Sequence, residues 1–257
     1  MSPSGEGPDS GATARRASRF PGWWALLVQI ALVAGAAVAY FAVRGLTQGA
    51  LATARDNAGA LVDLEQTLHV DWEAAAQTAI LSHDVLVTLA NWGYIFGHWP
   101  VVAATLVVLF VRMPDRYYLL RNALFASGAI GLVIFALLPV APPRLGVLEL
   151  VDTVTQRSDA YRALQPPGLI NRYAAMPSLH FGWNLLVGVV IWRSTRSPAL
   201  RAFVVVMIPA MAFAVVATAN HYVLDVVVGG AVALVGLFIA QRLPSVIPTP
   251  DWARPPD

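Results

Sequence analysis

The chain has 257 residues, of which 57% are hydrophobic and only 12% charged, about half the charged fraction of an ordinary soluble domain. Its net charge of +2 is small, all 17 basic residues are arginine and there is no cysteine. This excludes disulfides, thiolate metal sites and a cysteine nucleophile, and no nucleic-acid partner is expected. The composition is that of a polytopic membrane protein, expected to be an all-α bundle of six transmembrane helices plus one extracytoplasmic amphipathic helix.

Residues 1–20, rich in Gly, Ser, Pro and Ala with Arg15, Arg16 and Arg19, read as a disordered cytoplasmic tail. The membrane domain is expected over 21–242, and 243–257 form a Pro-rich cytoplasmic tail. The apolar run from Trp23 to Val43 is longer than a signal-peptide core, so it reads as an uncleaved first span with Trp23 and Trp24 as interfacial anchors. Between Arg44 and His98, Leu51, Ala54, Ala58, Leu61, Leu64 and Leu68 recur at helical spacing, with Arg55, Asp56, Asp63 and Glu65 off that face. That pattern predicts an amphipathic helix lying on the outer surface and roofing the site. His69 and His83 read as surface residues.

Further spans are expected at about 98–113, 121–139, 178–194, 201–219 and 222–241. With six spans, Arg15, Arg16, Arg19, Arg112, Arg116, Arg121, Arg193, Arg196, Arg201 and Arg242 all fall on one side, as the positive-inside rule requires. Arg121 is then a membrane-face anchor only. Counting 83–97 as a separate crossing reverses that asymmetry, so it is excluded as one. Both termini are expected in the cytoplasm of a multi-pass plasma-membrane protein, with His180, His221 and the loop 140–177 facing outward. That loop carries Pro-Pro-Arg (142–144), Pro-Pro-Gly (166–168) and Asn-Arg-Tyr (171–173), which favour fixed turns over helix. Arg157 and Arg162, near Asp152 and Asp159, read as solvated loop charges, and Gly229 and Gly230 as permitting close helix packing.

The chemistry concentrates at two clusters. Pro-Ser-Leu-His ends at His180, and Asn-His-Tyr-Val-Leu-Asp places His221 41 residues later, with Asp225 four residues beyond it. That separation is about two membrane-crossing helices and a turn, which returns both imidazoles to one membrane face. Asp225 lies one helical turn from His221, where a carboxylate can accept the imidazole N–H, fix its tautomer and raise the basicity of the other nitrogen. A histidine so held is a nucleophile. His180 is free to protonate a leaving oxygen and take a proton back in the next step. Arg144 and Arg172 are the outward guanidinium groups able to bind phosphate oxygens. Tyr94, His98, Asn171 and Tyr173 are further candidates for the pocket, although an interfacial aromatic belt accounts for His98 equally well.

Ala-Met-Pro-Ser-Leu-His (175–180) with His-Tyr-Val-Leu-Asp (221–225) resembles the second and third signature motifs of the type 2 phosphatidic acid phosphatase superfamily. Pro-Val-Ala-Pro-Pro-Arg (139–144) ahead of Pro-Ser-Leu-His is most similar to the inositol phosphorylceramide synthase-like, inositolphosphotransferase branch. The resemblance implies that His221 forms a phosphohistidine, Asp225 orients it, His180 protonates the departing group and Ser178 helps hold the phosphate, with no metal or other cofactor. The chain departs from the family in two cations. It has no lysine for the first motif, and Val215 stands where an arginine normally precedes the nucleophile by six residues. Arg144, which resembles the conserved arginine of the inositol-transferring branch, is the expected replacement, and Arg172 is a second by proximity. Leu179 replaces the glycine of Pro-Ser-Gly-His, which argues against an ordinary phosphatidate phosphatase.

The expectation is a membrane lipid phosphatase or phosphotransferase that acts on a phospholipid or lipid phosphate and hands the phosphoryl group to water or to a polyol such as inositol. The alternative is a non-enzymatic membrane protein in which His98, His180 and His221 ligate a haem or metal. A transporter is disfavoured because its polar residues belong at mid-span.

Overall fold

The computed structural model describes residues 23–47, 51–157 and 173–242. Both expected tails, Arg162, Asp159, Asn171 and Arg172 lie outside the described residues. Helices run α1 (Trp23–Thr47), α2 (Leu51–Leu68), α3 (Glu73–Leu81), α4 (Asp84–Phe96), α5 (Trp99–Arg112), α6 (Pro114–Leu137), α7 (Thr153–Arg157), α8 (Leu179–Ser194), α9 (Pro198–Ala217) and α10 (Val223–Arg242). Among the described residues the only extended pairing is an isolated parallel bridge between Val140 and Ala174. The expected all-helical membrane bundle is therefore what the chain forms. Proline opens α5, α6 and α9, where its missing N–H costs nothing and its fixed φ suits the first turn.

The second span differs from the expected 98–113. Helix α5 has 14 residues, about 21 Å of rise, too short for a hydrocarbon core of about 30 Å. It follows α4 across a bend of 41°, and Asp84–Arg112 together have the length and composition of one broken span or a re-entrant loop. Helix α4 has 13 residues, about 20 Å of rise, too short to add a crossing by itself. Helices α6, α9 and α10 are each long and apolar enough to cross. Helix α8 has 16 residues, and α1 contributes the apolar stretch Leu27–Ala36. Among the described residues this makes up to four candidate spans by length and composition, against the six expected.

The core lies between α5, α6, α8, α9 and α10, where Leu109, Leu120, Leu124, Leu186, Val187, Val190 and Leu237 are buried. Outward faces stay apolar, with Val107, Val133, Val206, Val227 and Leu234 exposed, as a lipid-facing surface requires. Close packing depends on small residues. A Cβ on Gly182 would lie 2.5 Å from the Gly229 carbonyl oxygen, and one on Gly229 would lie 2.3 Å from that of Ser178. The backbones of α8 and α10 therefore touch directly, in keeping with the packing role expected of Gly229.

Two expectations need correction. The buried stripe of α2 is Ala54, Ala58, Leu61, Val62 and Glu65, while Leu51, Leu64 and Leu68 are exposed. Glu65 belongs to the inner face because it finds a backbone donor there, as described below. Arg121 is not a surface anchor. Its buried guanidinium donates to Gln29 at 3.0 Å and lies 4.9 Å from the Tyr118 ring, while the Tyr117 hydroxyl donates to the same Gln29 oxygen at 2.8 Å. These contacts tie α1 to α6.

His98 precedes α5, His180 opens α8 and His221 precedes α10, whereas Arg112, Arg193 and Arg242 close the same helices. The histidines thus stand at the N-terminal ends of these three helices and the arginines at their C-terminal ends.

Candidate active site

His221 is placed by the end of α9. Thr218 caps that helix and Ala219 turns into the left-handed region at φ 56°. Ala219 N–H donates to the Val216 carbonyl at 2.9 Å, and Asn220 N–H to the Val215 carbonyl at 3.1 Å. This is the paired-bond C-terminal turn that glycine usually makes. A buried alanine makes it here, at a cost of about 1–2 kcal/mol. His221 N–H donates to the same Val215 carbonyl at 3.0 Å, so the position where the family places an arginine contributes backbone here.

The imidazole is then oriented by a neighbour the sequence did not single out. His221 Nδ1 lies 2.7 Å from the Ala175 carbonyl oxygen and 3.5 Å from Asp225 Oδ2. A carbonyl only accepts, so Nδ1 carries the proton and Nε2 keeps its lone pair. The expected Asp225 contact exists but is the longer of the two. Asp225 Oδ2 accepts from Tyr222 N–H at 2.8 Å, which makes the carboxylate a cap for α10 as well as a neighbour of the imidazole. Burial pushes the His221 imidazole down to about 4; the bond to Ala175 opposes that fall and the Arg144 charge adds to it. His221 is therefore neutral at ordinary pH.

His180 opens α8 behind Ser178, whose hydroxyl accepts from Phe181 N–H at 3.4 Å as the N-cap. Ser178 N–H donates to the Asp225 carbonyl at 2.9 Å, and this joins the two motif segments. The His180 and His221 ring centroids are 6.0 Å apart. His180 packs on Tyr94, stacked at 4.6 Å, and on His98, tilted at 4.4 Å. Asn184, also buried, has its amide nitrogen 3.0 Å from His98 Nδ1 and donates to the His180 carbonyl at 2.9 Å. Tyr94 and His98, expected as pocket residues, are thus both brought against His180. Trp183, stacked 5.9 Å from His98, was not anticipated.

Arg144 lies close enough for its charge to reach both imidazoles. It donates to Asn220 Oδ1 and pairs with Asp152 at 3.4 Å. Asp152 is therefore not the freely solvated loop charge the sequence suggests. It is held by flanking bonds between Val151 and Gln77 and between Thr153 and Asn91. The loop carrying Arg144 is clamped by α2, through Ala141 N–H to the Ala54 carbonyl, Asn57 to the Pro139 carbonyl and Arg55 to the Leu145 carbonyl. Tyr173 packs into the same region, against the cluster of Ala54, Ala58, Val140 and Tyr222. His69 and His83 are exposed, as expected.

The haem or metal alternative needs the histidine nitrogens to converge. Instead His98 and His180 meet ring to ring, and among the described residues no three His, Cys, Asp or Glu side chains are grouped to hold a metal.

A family model of the PAP2 superfamily matches residues 59–239. The chain belongs to the PAP2 superfamily. The match runs from within α2 into α10 and does not single out the inositol-transferring branch. Among solved structures, LpxE of Aquifex aeolicus is similar at a TM-score of 0.50 and 14% identity, over 66% of this chain and 93% of that one. At that identity the likeness is one of fold. No curated protein matches the chain. PAP2 membership on a helical membrane fold supports a membrane lipid phosphatase.

Proposed function

We propose that the protein is a metal-independent lipid phosphatase or phosphotransferase working through a phosphohistidine on His221. The observation that carries this reading is the 2.7 Å contact of His221 Nδ1 with the Ala175 carbonyl, which accepts the Nδ1–H bond and so leaves the Nε2 lone pair available. Nε2 attacks phosphorus, the ester P–O bond breaks with its electron pair leaving on the lipid oxygen, and that oxygen takes a proton from His180, which enters the step as the imidazolium and leaves it neutral. In the second step His180 takes a proton from water or an acceptor hydroxyl, whose oxygen attacks the phosphohistidine. The P–N bond breaks and its electron pair returns to Nε2. Arg144 supplies the cation that steadies the phosphoryl oxygens, with Ser178 and the first turn of α8 beside it. Arg172 is a second candidate cation.

Transfer to a polyol such as inositol is favoured over hydrolysis by Pro-Val-Ala-Pro-Pro-Arg at 139–144 and by Leu179 in place of glycine. Six crossings with cytoplasmic termini put the site on the outer face of the plasma membrane. The arginines at the helix ends opposite the histidines support that orientation. Lipid products of wild type and His221→Ala, incubated with a mixed phospholipid extract with and without myo-inositol, test the reading by mass spectrometry. A new inositol-phosphate lipid made by wild type alone is expected. A dephosphorylated lipid unaffected by inositol assigns hydrolysis instead, and identical profiles for both proteins remove His221 from the mechanism.

A further inference from the structure

The first turn of α10 directly after His221 is held by three carboxyl groups from three elements. Tyr222 N–H donates to Asp225 at 2.8 Å, Val223 N–H to Glu73 of α3 at 2.8 Å, and Leu224 N–H to Glu65 of α2 at 2.7 Å. All three side chains are buried, each at most 1% exposed. These are the N–H groups a helix leaves unpaired at its positive end, so each bond is charge-matched. Three adjacent negative charges in so buried a place repel one another strongly, and a retained proton relieves them. Glu65 Oε2 receives no hydrogen bond from any donor, whereas a proton on that atom makes it a donor to the neighbouring Glu73 carboxyl. Burial first, then the Glu73 charge, pushes the Glu65 carboxyl up to about 8, against the bond from Leu224. The other ionisable groups facing it are Asp225 of α10 and Tyr222 of the turn before it.

We propose that Glu65 and Glu73 are positioning residues for the nucleophile, a carboxyl pair sharing one proton that seats the first turn of α10 and so fixes His221, and that the seat opens when the proton is lost. In this account α2 and α3 are parts of the catalytic apparatus, since each contributes one carboxyl to the nucleophile's helix. The inference rests on the reading of His221 as the nucleophile.

The test compares wild type, Glu65→Gln and Glu65→Ala in detergent micelles, with turnover of a phospholipid extract containing myo-inositol (phosphate released or inositol-phosphate lipid formed) and thermal melting both followed against pH. Gln keeps the acceptor for Leu224 and the donor for Glu73 but cannot ionise. His180 acting as the acid imposes the same alkaline fall on both proteins, and wild-type kcat is expected to drop further than that of Glu65→Gln above pH about 8, with the KM of Glu65→Gln within about twofold of wild type at neutral pH. Glu65→Ala is expected to lose about tenfold or more in kcat at neutral pH, most of which Glu65→Gln restores. Parallel alkaline limbs in wild type and Glu65→Gln overturn the proposal, as does a Glu65→Ala protein that melts and turns over like wild type. If Glu65→Ala does not fold, the Gln comparison decides. If wild type neither releases phosphate nor forms an inositol-phosphate lipid, the proposed function fails on its own, and melting still tests the pair. Because the folded carboxyl titrates near 8 and the unfolded one near 4.5, wild type loses stability relative to Glu65→Gln as pH rises across that window. Parallel melting curves refute proton sharing.

Discussion

Replacing Gly229 by alanine should disable the site without touching a polar group. The added Cβ would lie 2.3 Å from the Ser178 carbonyl oxygen, 2.8 Å from its carbon and 3.0 Å from its nitrogen, where ordinary contact begins near 3.4 Å. The obstruction is backbone, so no rotamer relieves it, and Ser178 must retreat by about 1 Å. Ser178 caps the helix that begins with His180, and its N–H is bound to the Asp225 carbonyl. The retreat therefore separates His180 from His221. A displacement of about 1 Å between reacting groups costs about 100-fold in rate, and overpacking about 1–3 kcal/mol in stability. Gly230→Ala is the control, because its Cβ would meet the flexible Phe181 ring at 3.1 Å and nothing of the backbone that holds the site. Phosphate release from a lipid phosphate, with melting measured in the same detergent, should show kcat down about 100-fold in Gly229→Ala and within about threefold of wild type in Gly230→Ala. A folded Gly229→Ala protein with wild-type kcat refutes the claim that the α8–α10 contact sets the histidine geometry.

Two further outcomes follow from the site. With the His221 imidazole held near 4, the acidic limb of kcat/KM should lie well below the ordinary imidazole range, since the nucleophile is lost only as pH falls through about 4; a limb near 6.5 contradicts the burial account. Arg144→Gln should lower kcat/KM about 100-fold, and Arg144→Lys should recover only part of it because an ammonium lacks the planar fork. Steady-state kinetics on the same lipid phosphate read both, and an Arg144→Gln rate within about threefold of wild type removes Arg144 from phosphate binding.

The spacing of the two histidine clusters made the principal pair legible, because helix rise and bilayer thickness leave little choice about where residues 41 apart can meet. Tyr94 and His98 were readable as pocket candidates for a related reason, lying at the outer start of an expected span. Glu65 was not. A carboxylate in an amphipathic helix reads as solvated unless its donor is known, and Leu224 is 159 residues away in sequence. Leu51, Leu64 and Leu68 of α2 misled because an apolar residue at a membrane surface is as comfortable outside as in. Asp152 was misread because its partner Arg144 and the Gln77 and Asn91 bonds that hold its neighbours come from distant segments. Ala175 acts through its backbone carbonyl, which no residue type announces. The pairing of α4 with α5 was hidden because 83–97 reads in sequence only as a separate crossing, which the arginine asymmetry disfavours.

The most direct test of the central claim is to trap the intermediate. Wild-type protein is mixed with a lipid phosphate, quenched in alkali where phosphohistidine survives, digested, and its peptides sequenced by mass spectrometry. The account predicts a phosphoryl group on His221, absent from His221→Ala and accumulating in His180→Ala when the leaving group needs no proton. Product formation with His221 never modified, or a phosphoryl group found on His180 instead, contradicts it.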